Sequence, residues 1–465
     1  MILEPQPVPA LGDLGRVHFI AIGGAGMSGV ARGFVARGLP VTGSDQADSE
    51  ALRALQALGV TCWVGHDARH VAGADTVVVS TAIRGDNVEL VEARRRGLRV
   101  LHRSVALACL MEGYEVIAVA GTHGKTTTTA MCVAGLMGAG EDPSYVVGGT
   151  VLATGEGAHI GTGRFFVVEA DESDGSFRQY PARIAVITNV EADHLDNWGT
   201  ATHYAAGFAE FATGPGVELV ILDADNPGTA RLAATLARRG RRVSTYGESA
   251  TAGLRLTDLH PAAHAGELRG RDWSATLQIE APGIHNLHNA AAALAVGEAL
   301  GVDRAGFLAG LATFHGTARR FQHLGVAGGV TVVDDYAHHP TEVAATLAAA
   351  RLAAGGNRVV VCFQPHLFSR TRDFADEFGR ALAAADEVVV LDVYPAREDP
   401  IPGVTGELVA EAAARHGGRV HYVPEFGAAV DGLLSLVRPG DLVLTVGAGS
   451  VTTLGPALLA RLGVR

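Results

Sequence analysis

The stretch "VAGTHGKTTTTAM" at positions 119–131 places two glycines, a lysine and a threonine run within a few residues. Gly121 and Gly124 let backbone approach a phosphate closely, Lys125 reaches terminal phosphates, and Thr126 offers a hydroxyl to a magnesium ion. Gly121, Thr122, His123, Gly124, Lys125, Thr126 and Thr127 therefore form a candidate ATP-binding loop. The match to G-x-x-x-x-G-K-[ST] lacks its first glycine, since Val119 stands there, so a structural turn is the competing reading.

Acidic residues follow. "VVEADESDGSF" carries Glu169, Asp171, Glu172 and Asp174, and "NVEADHLD" adds Asp193, His194 and Asp196. Magnesium takes oxygen ligands and is seldom fully enclosed by protein, so one or two of these groups with Thr126 and phosphate oxygens suffice. No recurring His/Cys spacing favours zinc. Upstream, "GGAGMSG" satisfies GxGxxG with Gly24, Gly26 and Gly29, and Asp45 lies near the end of the next strand. That loop alone leaves open a nicotinamide dinucleotide, a nucleotide-sugar diphosphate, or a tight turn.

The elements that hold these loops follow an α/β rhythm, with short β-branched runs between alanine- and leucine-rich stretches. "RVHFIAIGG", "YEVIAVAGTHGKT", "RFFVVEADES" and "RIAVITNVEADHLD" each run from strand into polar loop. "GGVTVVDDYAHHPTE", "NRVVVCFQPH", "EVVVLDVYP" and "DLVLTVGAG" repeat the pattern. Open parallel sheets bind ligands at such strand ends. Three segments are expected, with boundaries near 112 and 318: domains 1–112, 113–318 and 319–465.

The size, 465 residues, favours several domains, and 48% apolar content excludes wholesale disorder. A formal charge of -12 argues against nucleic acid or an anionic membrane as partner. Four scattered cysteines form no CxxC pair, the N-terminal stretch lacks a signal-peptide pattern, and no apolar run reaches spanning length. A cytoplasmic protein without membrane insertion is the expectation.

Taken together, "IGGAGMSG", "STAI", "AGTHGKTTT", "EADESDGSF", "NVEADHLD", "GIHNLHNAAAA", "GTARRF", "DDYAHHPTE" and "FQPHLFSRT" resemble the Mur ligase family in shared order over nearly the whole chain. The resemblance implies an α/β protein of three domains: a Rossmann-like UDP-sugar domain, a central P-loop ATPase domain and a Rossmann-like C-terminal domain. It implies ATP-dependent joining of L-alanine to the lactyl carboxylate of UDP-N-acetylmuramate through an acyl phosphate, with ATP as co-substrate and Mg2+, in peptidoglycan synthesis. By the same resemblance, Lys125 and Thr126 hold phosphate and magnesium, and Glu172 and His194 join Thr126 at the metal. Asn289 resembles an adenine contact, Arg320 a phosphate contact and Asp335 a ribose contact. His338, with its neighbour His339, is placed to align phosphate or amino acid, and His366 and Arg370 near the incoming amino acid. Gly24, Gly26, Met27 and Ser28 resemble a diphosphate loop, and Asp45, Ser80, Thr81 and Ile83 the uracil- and sugar-facing positions.

Capping or surface roles compete for "HNLHN", the paired histidines and the "TARRF" arginines. A relative that attaches a preformed tripeptide is the near alternative, less well matched by "FQPHLFSRT". An NAD oxidoreductase would leave "GTHGKT" idle, and a noncatalytic nucleotide sensor would leave the carboxyl-activating set idle. No lysine matches the modified lysine of many relatives. Two departures stand out. Ala21 replaces a glycine common in related loops, which is harmless if that backbone avoids positive φ, and Ser450 in "GAGS" replaces an Asp or Asn.

Overall fold

The computed structural model describes residues 2–396 and 398–463. It divides into two compact units, one built from residues up to 257 with 267–275 and 288–314, the other from 258–266, 276–287 and the residues from 315 onward.

The first unit contains two sheets. Strands β1 (Val17–Ile20), β2 (Val41–Asp45), β3 (Thr61–Val64), β4 (Thr76–Val79) and β5 (Arg99–His102) lie in the order β3-β2-β1-β4-β5. All their pairings are parallel. Every residue of β1 is buried, as expected of a strand covered on both faces. Val17 and Phe19 pack with Val30 and Phe34 of the helix Ala25–Ala36, while Ile20 packs on the opposite face with Val71, Leu90 and Ala93. The first of these clusters continues into the second sheet through Val116, Phe166 and Phe177, so both sheets share one apolar core.

That second sheet comprises β6 (Glu115–Ala120), β7 (Ser144–Val151), β8 (Glu156–His159), β9 (Phe165–Glu169), β10 (Ile184–Ile187), β11 (Leu219–Asp223) and β12 (Val243–Gly247). Their order is β12-β11-β10-β6-β9-β7-β8. The chain leaves β6 through the helix Lys125–Gly138 toward β7 on one side, whereas β10 lies on the other. Strand order therefore reverses around β6, and its carboxyl end opens into the crevice where such sheets bind ligands. Strands β13 (Leu254–His260), β14 (Ala265–Arg269) and β15 (Ser274–Gln278) follow.

In the second unit, β16 (Gln322–Ala327), β17 (Val330–Asp335), β18 (Val359–Phe363), β19 (Glu387–Leu391), β20 (Val420–Val423) and β21 (Leu442–Val446) are ordered β16-β17-β21-β18-β19-β20. Only β16 is antiparallel to its neighbour. The helix Pro340–Ala353 begins with proline at its first turn, where no N–H is needed, and the helix Phe368–Leu382 packs beside it.

One expectation is corrected. Ala21 adopts φ 60°, in the left-handed region, so its methyl group is not harmless there. His194, Arg319, Phe321 and Leu367 share that rare conformation at φ 52°, 61°, 49° and 71°. Each of the five lies in a quoted motif, and strain of this kind persists where surrounding contacts over-determine the backbone.

Candidate functional site

In the phosphate loop, Gly124 caps the helix Lys125–Gly138 at φ 81°, and a side chain there would also press on Asn289 Oδ1 at 2.7 Å. A methyl group at Gly121, at φ 138°, would collide with the Thr188 hydroxyl. The loop is pinned from β10: His123 N donates to Asn189 Oδ1 at 2.8 Å, and Thr188 Oγ1 donates to His123 O at 2.6 Å. Thr122 is buried, its hydroxyl 2.9 Å from Tyr204 OH.

Lys125 folds back over this loop. Its Nζ donates to Gly121 O at 2.7 Å and Thr122 O at 3.1 Å, and pairs with Glu172 Oε2 at 2.7 Å. Burial works against the ammonium charge, yet Glu172, Asp171 and Glu169 outweigh it and hold the Lys125 pKa above its usual value. Burial pushes the Glu172 carboxyl upward, with Lys125 and His194 opposing. Thr126 donates not to Glu172 but to Glu169 Oε1, at 2.9 Å.

His194 Nε2 stands 3.7 Å from Glu172 Oε1 and 3.5 Å from Asp193 Oδ2, and its buried Nδ1 has no hydrogen-bond partner among the described residues. The Asp196 side chain lies outside the described residues. The arrangement thus brings together Lys125, Glu172 and His194, with Thr126 beside them on Glu169. It amounts to a cation, several hard oxygens and helix N–H donors at one strand end, suited to triphosphate and a divalent ion. Asn289 lies within the helix Ile284–Leu300 rather than capping it, and accepts from Thr128 Oγ1 at 3.1 Å.

At the first sheet, Gly24 precedes the helix Ala25–Ala36, Ser28 N closes onto Gly24 O at 2.8 Å, and Met27 is buried beneath. Asp45 Oδ2 accepts from Gly23 N at 2.8 Å, which ties the end of β2 to the glycine loop. Ser80 and Ile83 close a turn by Ile83 N to Ser80 O at 3.1 Å, and Thr81 Oγ1 reaches Asp174 Oδ2 at 3.5 Å.

The second unit gathers its own set at the ends of β17, β18 and β19. His338 and His366 rings meet edge to face at 6.0 Å, and His366 stacks on Tyr394 at 5.8 Å. Arg370, buried, places Nη1 3.5 Å from His366 Nδ1. His339 caps its helix, Nδ1 accepting from Thr341 N at 3.4 Å, so it is a buried helix-start residue and not a surface one. Arg319 and Arg320 both lie over the Tyr336 ring, at 4.7 and 5.3 Å. Asp335 accepts from Phe321 N at 2.7 Å and Ala337 N at 2.8 Å, and burial raises its pKa to about 6 against the opposing pull of Arg320. Ser450 closes its loop on Gln364, whose Nε2 donates to it at 3.2 Å.

Residue type and spacing pick out Glu169 only as one of several acids, without its partner Thr126, and do not single out Asn189, Tyr204, Tyr336 or Tyr394. Asn189 lies two residues beyond β10, and a polar residue just past a strand end is the signal that marks it. Lys125 is also the only lysine in the sequence, so no lysine outside this loop exists to be modified.

Residues 16–115 match the Mur ligase family catalytic domain, 119–297 the Mur ligase middle domain, and 319–449 the Mur ligase glutamate ligase domain. A UDP-N-acetylmuramate--L-alanine ligase of Cutibacterium acnes is 57% identical, over 99% of this chain and 98% of the relative. One of Kineococcus radiotolerans is 56% identical over 98% of each. The solved structure of UDP-N-acetylmuramate-alanine ligase MurC from Thermotoga maritima is similar with a TM-score of 0.80 and 29% identity, covering 96% of this chain and 98% of that one.

Proposed function

The chain belongs to the Mur ligase family, and we propose that it joins L-alanine to the lactyl carboxylate of UDP-N-acetylmuramate, consuming ATP and releasing UDP-N-acetylmuramoyl-L-alanine, ADP and phosphate. The observation that carries this reading is Lys125 at the head of its helix, its ammonium held by two loop carbonyls and Glu172 where a terminal phosphate would sit.

A free carboxylate resists amine attack because its leaving oxygen is poor. Transfer of the γ-phosphoryl group to the lactyl oxygen gives an acyl phosphate. The alanine amine then adds to the carbonyl, and the tetrahedral intermediate expels phosphate. Lys125 neutralises charge on the phosphoryl oxygens, and the glycine-loop N–H groups cradle the triphosphate. Thr126, Glu172 and His194 supply the metal site, where Mg2+ lends Lewis-acid charge stabilisation when bound; Glu169 joins them through Thr126. Gly24, Gly26, Met27, Ser28, Asp45 and the Ser80–Ile83 turn receive the UDP-sugar. Asn289, Arg320 and Asp335 contact the nucleotide, while His338, His366 and Arg370 receive alanine, the guanidinium pairing with its carboxylate. The three domains are assigned to 1–112, 113–318 and 319–465. No helix among the described residues is long and apolar enough to cross a membrane, and substrates of this kind make the cytoplasm the expected location.

The test follows phosphate release with ATP, magnesium and UDP-N-acetylmuramate, with mass detection of the sugar product. Alanine-dependent release with the matching mass increase supports the proposal. Release only with a preformed tripeptide moves the assignment to the recycling reaction. Release with neither amine, by protein that binds ATP, rejects ligase activity.

A further inference from the structure

Arg103 has no role in the function described so far. It is the first residue of the helix Arg103–Leu110, directly after β5, and a cation at that end opposes the helix dipole. Something outside the helix must therefore favour it there. On one side its guanidinium lies against the sugar-nucleotide loop: a methyl group at Gly26 would collide with Arg103 Nη1. Gly26 is thus the residue whose missing side chain makes room for the cation. On the other side Arg103 Nη2 stands 3.8 Å from Asp171 Oδ2, beyond hydrogen-bond reach. Asp171, Asp174 and Glu169 are the carboxylates whose charge it senses. The guanidinium makes no hydrogen bond to the protein among the described residues, although it is only one-fifth exposed. Its donors are held in an acidic field with Asp171 as a loose ion-pair partner.

The same acids serve the ATP side. Glu169 takes the Thr126 hydroxyl at 2.9 Å, and Asp171 lies in the field of Lys125. Arg103 accordingly sits between two ligand loops of one compact unit, touching the first and partly neutralising the second.

We propose that Arg103 is the cation of the sugar-nucleotide diphosphate site and that it couples that site to the nucleotide-metal site. When a diphosphate reaches the glycine loop, the guanidinium turns its donor fork to the phosphate oxygens, a geometry that arginine suits. Its withdrawal removes a compensating positive charge from beside Asp171, which favours the metal-bearing nucleotide at Thr126. Coupling between two binding sites is reciprocal, so each ligand tightens the other by the same factor. This inference rests on the proposed use of the glycine loop for the UDP-sugar.

The experiment is calorimetric titration of the full chain with magnesium and the β,γ-imido analogue of ATP, with and without saturating UDP-N-acetylmuramate. Wild type should bind the analogue about fivefold or more tightly when the sugar nucleotide is present. Arg103→Met should weaken UDP and UDP-N-acetylmuramate alike by about tenfold or more and bring the coupling factor to one. Without sugar nucleotide its analogue affinity should already match that of wild type with sugar nucleotide, about fivefold or more tighter, and an unchanged thermal unfolding transition certifies folding. Arg103→Lys should recover part of the coupling. Arg103→Gln, which keeps a polar side chain without the charge, carries the same test if Arg103→Met folds poorly. Unchanged UDP affinity or an unchanged coupling factor in Arg103→Met overturns the inference. Wild type that binds the analogue but no UDP-N-acetylmuramate overturns instead the sugar-nucleotide reading on which it rests.

Discussion

The two candidate sites handle charge in opposite ways. Around Lys125 the cation, Glu172 and two loop carbonyls form a closed and largely dry set in which each charge depends on another. Around Arg370 aromatic rings gather, with His338, His366 and Tyr394 stacked or edge on, and the guanidinium Nη1 lies 3.5 Å from an imidazole nitrogen of His366. The first arrangement is suited to a highly charged ligand that replaces internal partners. The second suits a small zwitterion whose carboxylate meets a guanidinium and whose body rests among flat rings. Triphosphate and amino acid are thereby assigned to different physics, and variants that separate or merge the two behaviours test the contrast.

The largest effect is expected at Lys125. Lys125→Met should lower phosphate release about 10³-fold, since a positioned charge at the transferring group is lost. The same change strands Glu172 in a dry site and should cost about 3–5 kcal/mol of stability in urea unfolding. Adding Glu172→Gln should restore most of that stability and none of the activity. Recovery of both, or of neither, would break the distinction between structural and chemical roles of the pair.

Next comes Arg370→Met, expected to raise KM for L-alanine ten- to a hundredfold while KM for ATP stays within about twofold, as for loss of one charge-assisted contact. Steady-state kinetics with each substrate varied in turn decides it. Equal rises in both constants would erase the division of labour.

A third, smaller effect depends on pH. The folded pKa of Asp335 is about 6, raised from 3.8 by burial. The folded state therefore holds the proton more tightly than the unfolded one, and stability is lost as pH rises from about 4 through 6, then stays level. The cost at neutral pH is about 3 kcal/mol. Asp335→Asn should remove this dependence, so the gap in urea stability between variant and wild type should move toward the variant by up to that amount between pH 4 and 7.5. The cation Lys125, whose pKa is also raised, loses its stabilisation only as pH rises beyond the ordinary lysine range and contributes no slope in that window. Identical slopes in both proteins would reject the assignment.

Smallest is Ala21→Gly. Relief of the left-handed strain, less the entropy that glycine loses, should stabilise by about 0.5–1 kcal/mol and raise Tm by about 2 °C, read by thermal unfolding.

Much was legible from local pattern. Strand, glycine turn and helix start are encoded within a dozen residues, so the loops at Gly24 and Gly124, the helix begun by Pro340 and the parallel α/β layers followed directly from it. The acids could be seen to crowd one strand end, because β9 and β10 both terminate there. Which acid meets which partner could not be seen. Glu169 and Glu172 are three residues apart, yet one receives the Thr126 hydroxyl and the other the Lys125 ammonium. That choice depends on how β9 lies in register beside β6 and where the chain turns after it.

The sequence by itself determined the phosphate loop and the order of strand-end motifs, since each depends on residue type and short spacing. Only the tertiary structure decided that Ala21 is strained, that Asn289 abuts Gly124 and that Arg103 faces two loops at once. The physical reason is distance along the chain. Local dihedrals and helix caps are set by neighbours, whereas a buried charge takes its partner from whichever segment the packing of two sheets on one shared core brings within a few ångströms.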